Sequence, residues 1–265
     1  MTDDWGDLAG AGFENFRLSH RDRALGFIEN HRDFEAQLFA IKGALERNKE
    51  AEQRASDNIQ HMREQINLLA PEDHRNRDHL DDYLTDMFHD SVYSDAAHSM
   101  AAVGMLAPYF ESLFVALFDA IGKKVGSDLG SGKRAKAFQE IYWNPQVVIR
   151  DKRMGDDLVV GIMELATEVG LLTYLPQDLD KTLKALFAYR NNMFHNGFEW
   201  PLETRQRFQN RSANQHWPKD WFEQSTSGDD PWIFYMSEKF ITRCLATIDE
   251  VLDGVGRFLK ERNDG

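Results

Sequence analysis

From about Ser19 to Leu69 the chain contains no proline and few glycines, and this restricts its possible folds more than any other feature. Ala55, Ile59, Met62, Ile66 and Leu69 recur there at alternating spacings of four and three, the spacing of an apolar seam along one face of a helix. The seam is too short for an extended coiled coil. It predicts an antiparallel helical hairpin or a long helix packed on the rest of the protein, with a dimer contact as the other use open to it. Pro71 closes the segment.

Helical periodicity continues beyond it. Helices are expected at about His74–Phe88, over an apolar stretch reaching Lys124, and at Asp156–Val169, Gln177–His195, Leu202–Asn210 and Met236–Arg262. Only "PQVVIR" and "PWIFYM" look like strands, too little for a sheet core. No internal repeat is visible. The expected fold class is all-α.

The most apolar long run, Ser99–Gly122, carries Glu111 and Asp119 and holds Pro108 inside it. Each is costly in hydrocarbon, so the run reads as a buried, kinked helix and not as a membrane span. A chain of 265 residues with 42% hydrophobic and 28% charged positions can bury a sizeable core. The single cysteine, Cys244, can form no intramolecular disulfide, and the acidic opening "MTDDWGDLAG" shows no basic segment followed by an apolar one. A cytoplasmic setting is expected.

A net charge of −13 argues at first against a nucleic-acid partner, which is held by clustered lysine and arginine. The acid is unevenly spread. Residues 1–100 carry 11 Lys and Arg against 21 Asp and Glu, a net of −10, which leaves −3 for residues 101–265. Lys123–Arg153 holds eight basic and three acidic residues, and Thr204–Lys219 holds Arg205, Arg207, Arg211 and Lys219 with no acid. Taken alone, each such segment reads as a solvated loop or helix face.

Three stretches imitate sites. "GSDLGSGKR" suggests a phosphate loop, but Gly126 and Gly132 are six apart instead of five, Arg134 stands where a hydroxyl is needed, and no strand precedes it. Asp82, Asp86, His89 and Asp90 share a helical face that could hold a divalent cation, although a solvated acidic face explains them as well. "HWPKDWF", His216–Phe222, could stack a base, but tryptophans beside proline usually pin a loop to a core.

"YRNNMFHNGFEWP", Tyr189–Pro201, is different because its parts agree. The helical stripe Leu179, Leu183, Leu186, Phe187, Met193 and Phe194 places Arg190 in its middle, where a core residue is expected. Either a structural carboxylate neutralises that arginine, or it is kept for an anionic ligand. Gly197 fits the left-handed position that ends a helix, which puts His195 in the last turn. Asn191 and His195, four apart, share a face, whereas Arg190 and His195 are about 140° apart on an ideal helix and would flank one groove. A guanidinium grips phosphate oxygens and an imidazole passes protons near neutrality.

At these residues the chain resembles the HEPN superfamily, all-helical domains whose ribonuclease members carry arginine, a polar residue such as asparagine, three further residues and then histidine. Here these are Arg190, Asn191, "NMF" and His195. The resemblance implies a HEPN-like helical bundle over residues 96–265, with the apolar "ESLF" helix beside the motif helix, after an N-terminal helical extension over residues 1–95 that has no counterpart in the family. It implies a homodimer in which the motif helices of two protomers form one cleft. The implied activity is a metal-independent endoribonuclease of a stress-response or phage-defence type, with no cofactor and no metal. His195 would remove the 2′-OH proton or protonate the 5′-oxygen, Arg190 would stabilise the phosphorane, and Asn191 would orient the histidine or the phosphate. The products would be 2′,3′-cyclic phosphate and 5′-OH ends. RNA is the expected substrate, an antitoxin or regulatory protein a further partner, and no membrane is involved. HEPN toxins silenced by modification often carry tyrosine two positions after the histidine; Gly197 stands there, which puts that control in doubt. The alternative is a noncatalytic HEPN-like nucleotide-binding or protein-interaction module, in which Arg190 pairs with Glu111 or another buried acid and His195 caps the helix.

Overall fold

The computed structural model describes residues 18–28, 32–70, 74–125, 142–150, 153–228 and 230–263. Seven α-helices dominate them: α1 (His20–Ile28), α2 (Phe34–Leu68), α3 (His74–Val125), α4 (Leu158–Glu168), α5 (Leu179–Asn196), α6 (Leu202–Asn214) and α7 (Glu238–Asn263). Two antiparallel hairpins interrupt them, β1 (Val147–Arg150) with β2 (Arg153–Asp156) and β3 (Phe222–Ser227) with β4 (Asp230–Met236). The two strand-like segments are thus β1 and β4. Their partners β2 and β3 lack the apolar alternation that would have marked them.

α2 begins where the Asp33 carboxylate accepts from the Ala36 amide at 2.8 Å, satisfying a backbone donor that the first turn leaves free. Of its apolar seam Ile66 is buried, while Ala55, Ile59, Met62 and Leu69 are half-buried. Phe34 meets Tyr109, Glu52 meets His98, Arg63 lies over Phe88, and Arg77 reaches the Leu69 carbonyl, so α2 and α3 run antiparallel as a hairpin. His74–Phe88 and the apolar run are not separate helices. They form one helix of 52 residues with Pro108 inside it. Periodicity alone hides this continuity, because an exposed acidic half adjoins a buried apolar half.

That apolar half is the centre of the core. Val103, Leu106, Phe110, Leu113, Phe114, Leu117 and Ile121 are fully buried, with α4, α5 and α7 packed around them. The helix is long and apolar enough to cross a membrane, and 61% of its most apolar window is buried within the fold. α7 offers Phe240, Cys244, Ile248, Val251, Leu252, Val255 and Leu259 on one stripe. α1 docks on α7 at Gly256, where a Cβ would lie 1.9 Å from the His20 carbonyl oxygen. Arg21 and Lys42 both bind Asp249 of α7, at 2.5 and 2.9 Å. The expected boundary between residues 95 and 96 falls inside α3, and Ala24, Ile28, Phe34, Leu38 and Leu45 belong to the common core. The "GSDLGSGKR" stretch, Pro71 and the middle of the Lys123–Arg153 segment lie outside the described residues.

Candidate functional site

The C-terminal half of α5 is held by its buried face. Thr182, Leu186, Tyr189 and Met193 recur at helical spacing with no more than trace exposure, and Tyr189 anchors the set. Its hydroxyl donates to the Phe234 carbonyl of β4 at 2.9 Å, and its ring lies 5.4 Å from Phe222 and 5.6 Å from Trp200. Burial pushes the phenol far above its ordinary range. The helix ends at Gly197, with φ 69° and ψ −147°. This is not the left-handed helical position but a region that essentially only glycine adopts. The Trp200 indole then donates to the Gly197 carbonyl at 2.9 Å and turns the chain toward α6.

Arg190 follows Tyr189 and so points away from the core, half-buried on the flank of α5. The expected stripe was centred one position too far round: Phe194 is 55% exposed and Tyr189 is the core residue. The Arg190 guanidinium donates to Asn191 Oδ1 at 3.1 Å, and its Cζ stands 5.9 Å from the centre of the Phe194 ring. His195 is exposed in the last turn.

Beside Arg190 opens a cleft of about 590 Å³, walled by α3, the segment before β1, α4, α5 and α6. Arg190, Asn191, Lys184 and Arg211 line it together with Glu111 and Asp157. Most of these charges have other commitments. Lys184 pairs with Asp180 at 2.8 Å, Glu111 accepts from Gln146 Nε2 at 2.5 Å, and Asp157 caps α4 by accepting from Val160 at 3.2 Å. Arg190 and Arg211 have no carboxylate partner among the described residues. His195 does not line this cleft, so a single chain brings Arg190 and Asn191 together and leaves the histidine outside.

No family model matches the chain, nor does any curated protein or solved structure. The chemistry open to the cleft therefore rests on its own charges: two unpaired guanidiniums on neighbouring helices suit an anion with several oxygens, such as a phosphodiester.

The two other stretches that imitate sites and lie within the described residues form an exposed face and a pinned loop. Asp82, Asp86, His89 and Asp90 are all exposed, and His89 rests on Tyr93 and Trp232. Trp217 and Trp221 are buried, against Phe208 and Phe240 respectively, and pin the loop before β3. Two features escape a reading of the sequence. Arg211 joins Arg190 only through the docking of α6, and its sole signal is the acid-free segment Thr204–Lys219. Glu52 of α2 meets Asp95 and His98 of α3, for which the three-residue spacing of Asp95 and His98 is the only hint. Burial, then the charge of Glu52, push the Asp95 carboxyl up to about 6.

Proposed function

We propose that the protein is a metal-independent endoribonuclease built on a HEPN-like helical bundle, in which Arg190 binds the scissile phosphate. The observation that carries this reading is the pair of guanidiniums, Arg190 and Arg211, that face an open cleft with no carboxylate partner among the described residues. An arginine kept to neutralise the interior would sit on an acid. Glu111, the acid the sequence offered for that role, is engaged by Gln146 instead.

In this reading a homodimer completes the site. Phe194, next to His195 in the last turns of α5, is 55% exposed, an apolar side chain at the helix end open to a second copy of the same end. The His195 imidazole takes the ribose 2′-OH proton, the 2′-oxygen attacks phosphorus, and the bond to the 5′-oxygen breaks as that oxygen gains a proton. Arg190 carries the added negative charge of the phosphorane, and Asn191 holds the guanidinium in place. Cyclic 2′,3′-phosphate and 5′-OH ends result. The acidic N-terminal part makes indiscriminate attraction of RNA weak and favours a narrow or structured substrate in the cytoplasm.

The exposed position of His195 outside the cleft favours a second reading, a noncatalytic nucleotide-binding module that uses Arg190 and Arg211 alone. Mixed RNA incubated with the protein in EDTA separates them. Cleavage lost in Arg190→Ala supports the ribonuclease. RNA retained intact but bound, with binding lost in Arg190→Ala, supports the module, and neither cleavage nor binding removes both.

A further inference from the structure

We infer that Glu52, Asp95 and His98 form a binding site for one first-row divalent cation, zinc or manganese, that ties α2 to α3. The site lies on different elements from the Arg190 cleft and stands independently of the ribonuclease reading.

One ligand atom from each of the three side chains lies within 4.8 Å of the other two, and His98 Nδ1 is 2.9 Å from Glu52 Oε1. Bonds of about 2.1 Å place adjacent ligand atoms about 3 Å apart around a six-coordinate cation and about 3.4 Å apart around a tetrahedral one, so one edge of the triad already has this length and the others lie within 4.8 Å. Asp95 and His98 are three apart on α3 and present their side chains on one face. Glu52 comes from the facing helix. The donor set is therefore assembled by the same antiparallel pairing that makes the α2–α3 hairpin, and it bridges elements that are far apart in sequence.

The surroundings leave the carboxylates short of positive charge. A protonated His98 bonded to Glu52 would account for those two groups, but Asp95 is half-buried and makes no hydrogen bond among the described residues. Glu223 adds a further negative charge nearby. A divalent cation among the three supplies what the protein does not. The chemistry of the set also selects the metal: an imidazole with two carboxylates suits zinc or manganese better than magnesium or calcium, which prefer oxygen alone.

Access is open from two sides. Glu52 and Asp95 line a cleft of about 670 Å³, while Glu52 and His98 line a smaller one of about 260 Å³ on the other side. Three protein ligands leave coordination positions facing these spaces, where water or an anion can complete the shell. The cations on the wall of the larger cleft are engaged elsewhere, Lys49 with Glu238 at 3.0 Å and Arg63 over the Phe88 ring.

The test is equilibrium dialysis of the metal-free protein against zinc or manganese at micromolar free concentration, with bound metal counted by elemental analysis. About one equivalent is expected, with a melting temperature raised by several degrees, since a ligand held only by the folded state stabilises it. Asp95→Asn and His98→Gln should each lower the affinity at least tenfold, roughly, whereas Asp82→Asn on the exposed acidic face should not change it. Cobalt provides a readout that needs no substitution: a visible absorption band in the wild-type protein that zinc removes. Metal bound equally well by Asp95→Asn and His98→Gln, or no binding and no cobalt band in the wild type, overturns the assignment.

Discussion

Replacing Arg190 by alanine distinguishes an arginine held ready for an external anion from one that neutralises an internal acid. Among the described residues its hydrogen bond goes to the exposed Asn191, at 3.1 Å, and its Cζ is 5.9 Å from the Phe194 ring. An exposed hydrogen bond to a neutral acceptor contributes about 0.5 to 1 kcal/mol, and an exposed contact between a cation and an aromatic ring about 0.5 kcal/mol. Alanine, the best helix former, recovers a little of this in the middle of α5. The expected net loss is about 1 kcal/mol, or a fall in melting temperature of about 2 to 4 °C for a chain of this size. Stranding a buried carboxylate would cost about 3 to 5 kcal/mol and lower melting by roughly 10 °C. Thermal unfolding followed by circular dichroism reads the difference. A fall on the larger scale would refute the assignment of Arg190 to the cleft.

Tyr189→Phe should cost about 1 to 3 kcal/mol in urea unfolding, because it leaves the buried Phe234 carbonyl without its donor; unchanged stability would contradict the anchoring role of Tyr189. Asp95, raised from 3.8 to about 6, contributes stability that is whole below pH 4 and lost as pH rises through 6. In metal-free protein Asp95→Asn should therefore be the more stable form at pH 7, by on the order of 1 kcal/mol once half exposure is allowed for, and parallel melting curves from pH 4 to 7 would contradict this. Cys244 is fully buried, which pushes its thiol up, so thiol reagents should label it only on unfolding. Rapid labelling of the native protein would show that α7 opens readily.

Much of the helical layout was legible because its stops are chemical. Gly197 ends α5, and the apolar seam of α2 has the period of a packed helix. Arg190 shows where such reading fails. A stripe drawn through apolar residues includes Phe187 and Phe194 and omits Tyr189, whose hydroxyl makes it look polar until β4 supplies a carbonyl. Local sequence carries no information about that acceptor. The same limit hid Arg211 and Glu52, each of which gains its significance from a neighbour on another helix. His195 is the converse case: the sequence places it correctly at the helix end, yet its distance from the Arg190 cleft is a property of the fold.

The most direct measurement is cleavage of RNA by purified wild-type protein and by His195→Ala in EDTA, with the ends of the products identified by mass spectrometry. The wild type should yield 2′,3′-cyclic phosphate and 5′-OH ends, and His195→Ala should lose roughly a hundredfold or more of the activity with its melting temperature essentially unchanged. Intact RNA with the wild type, or equal cleavage by His195→Ala, would contradict it.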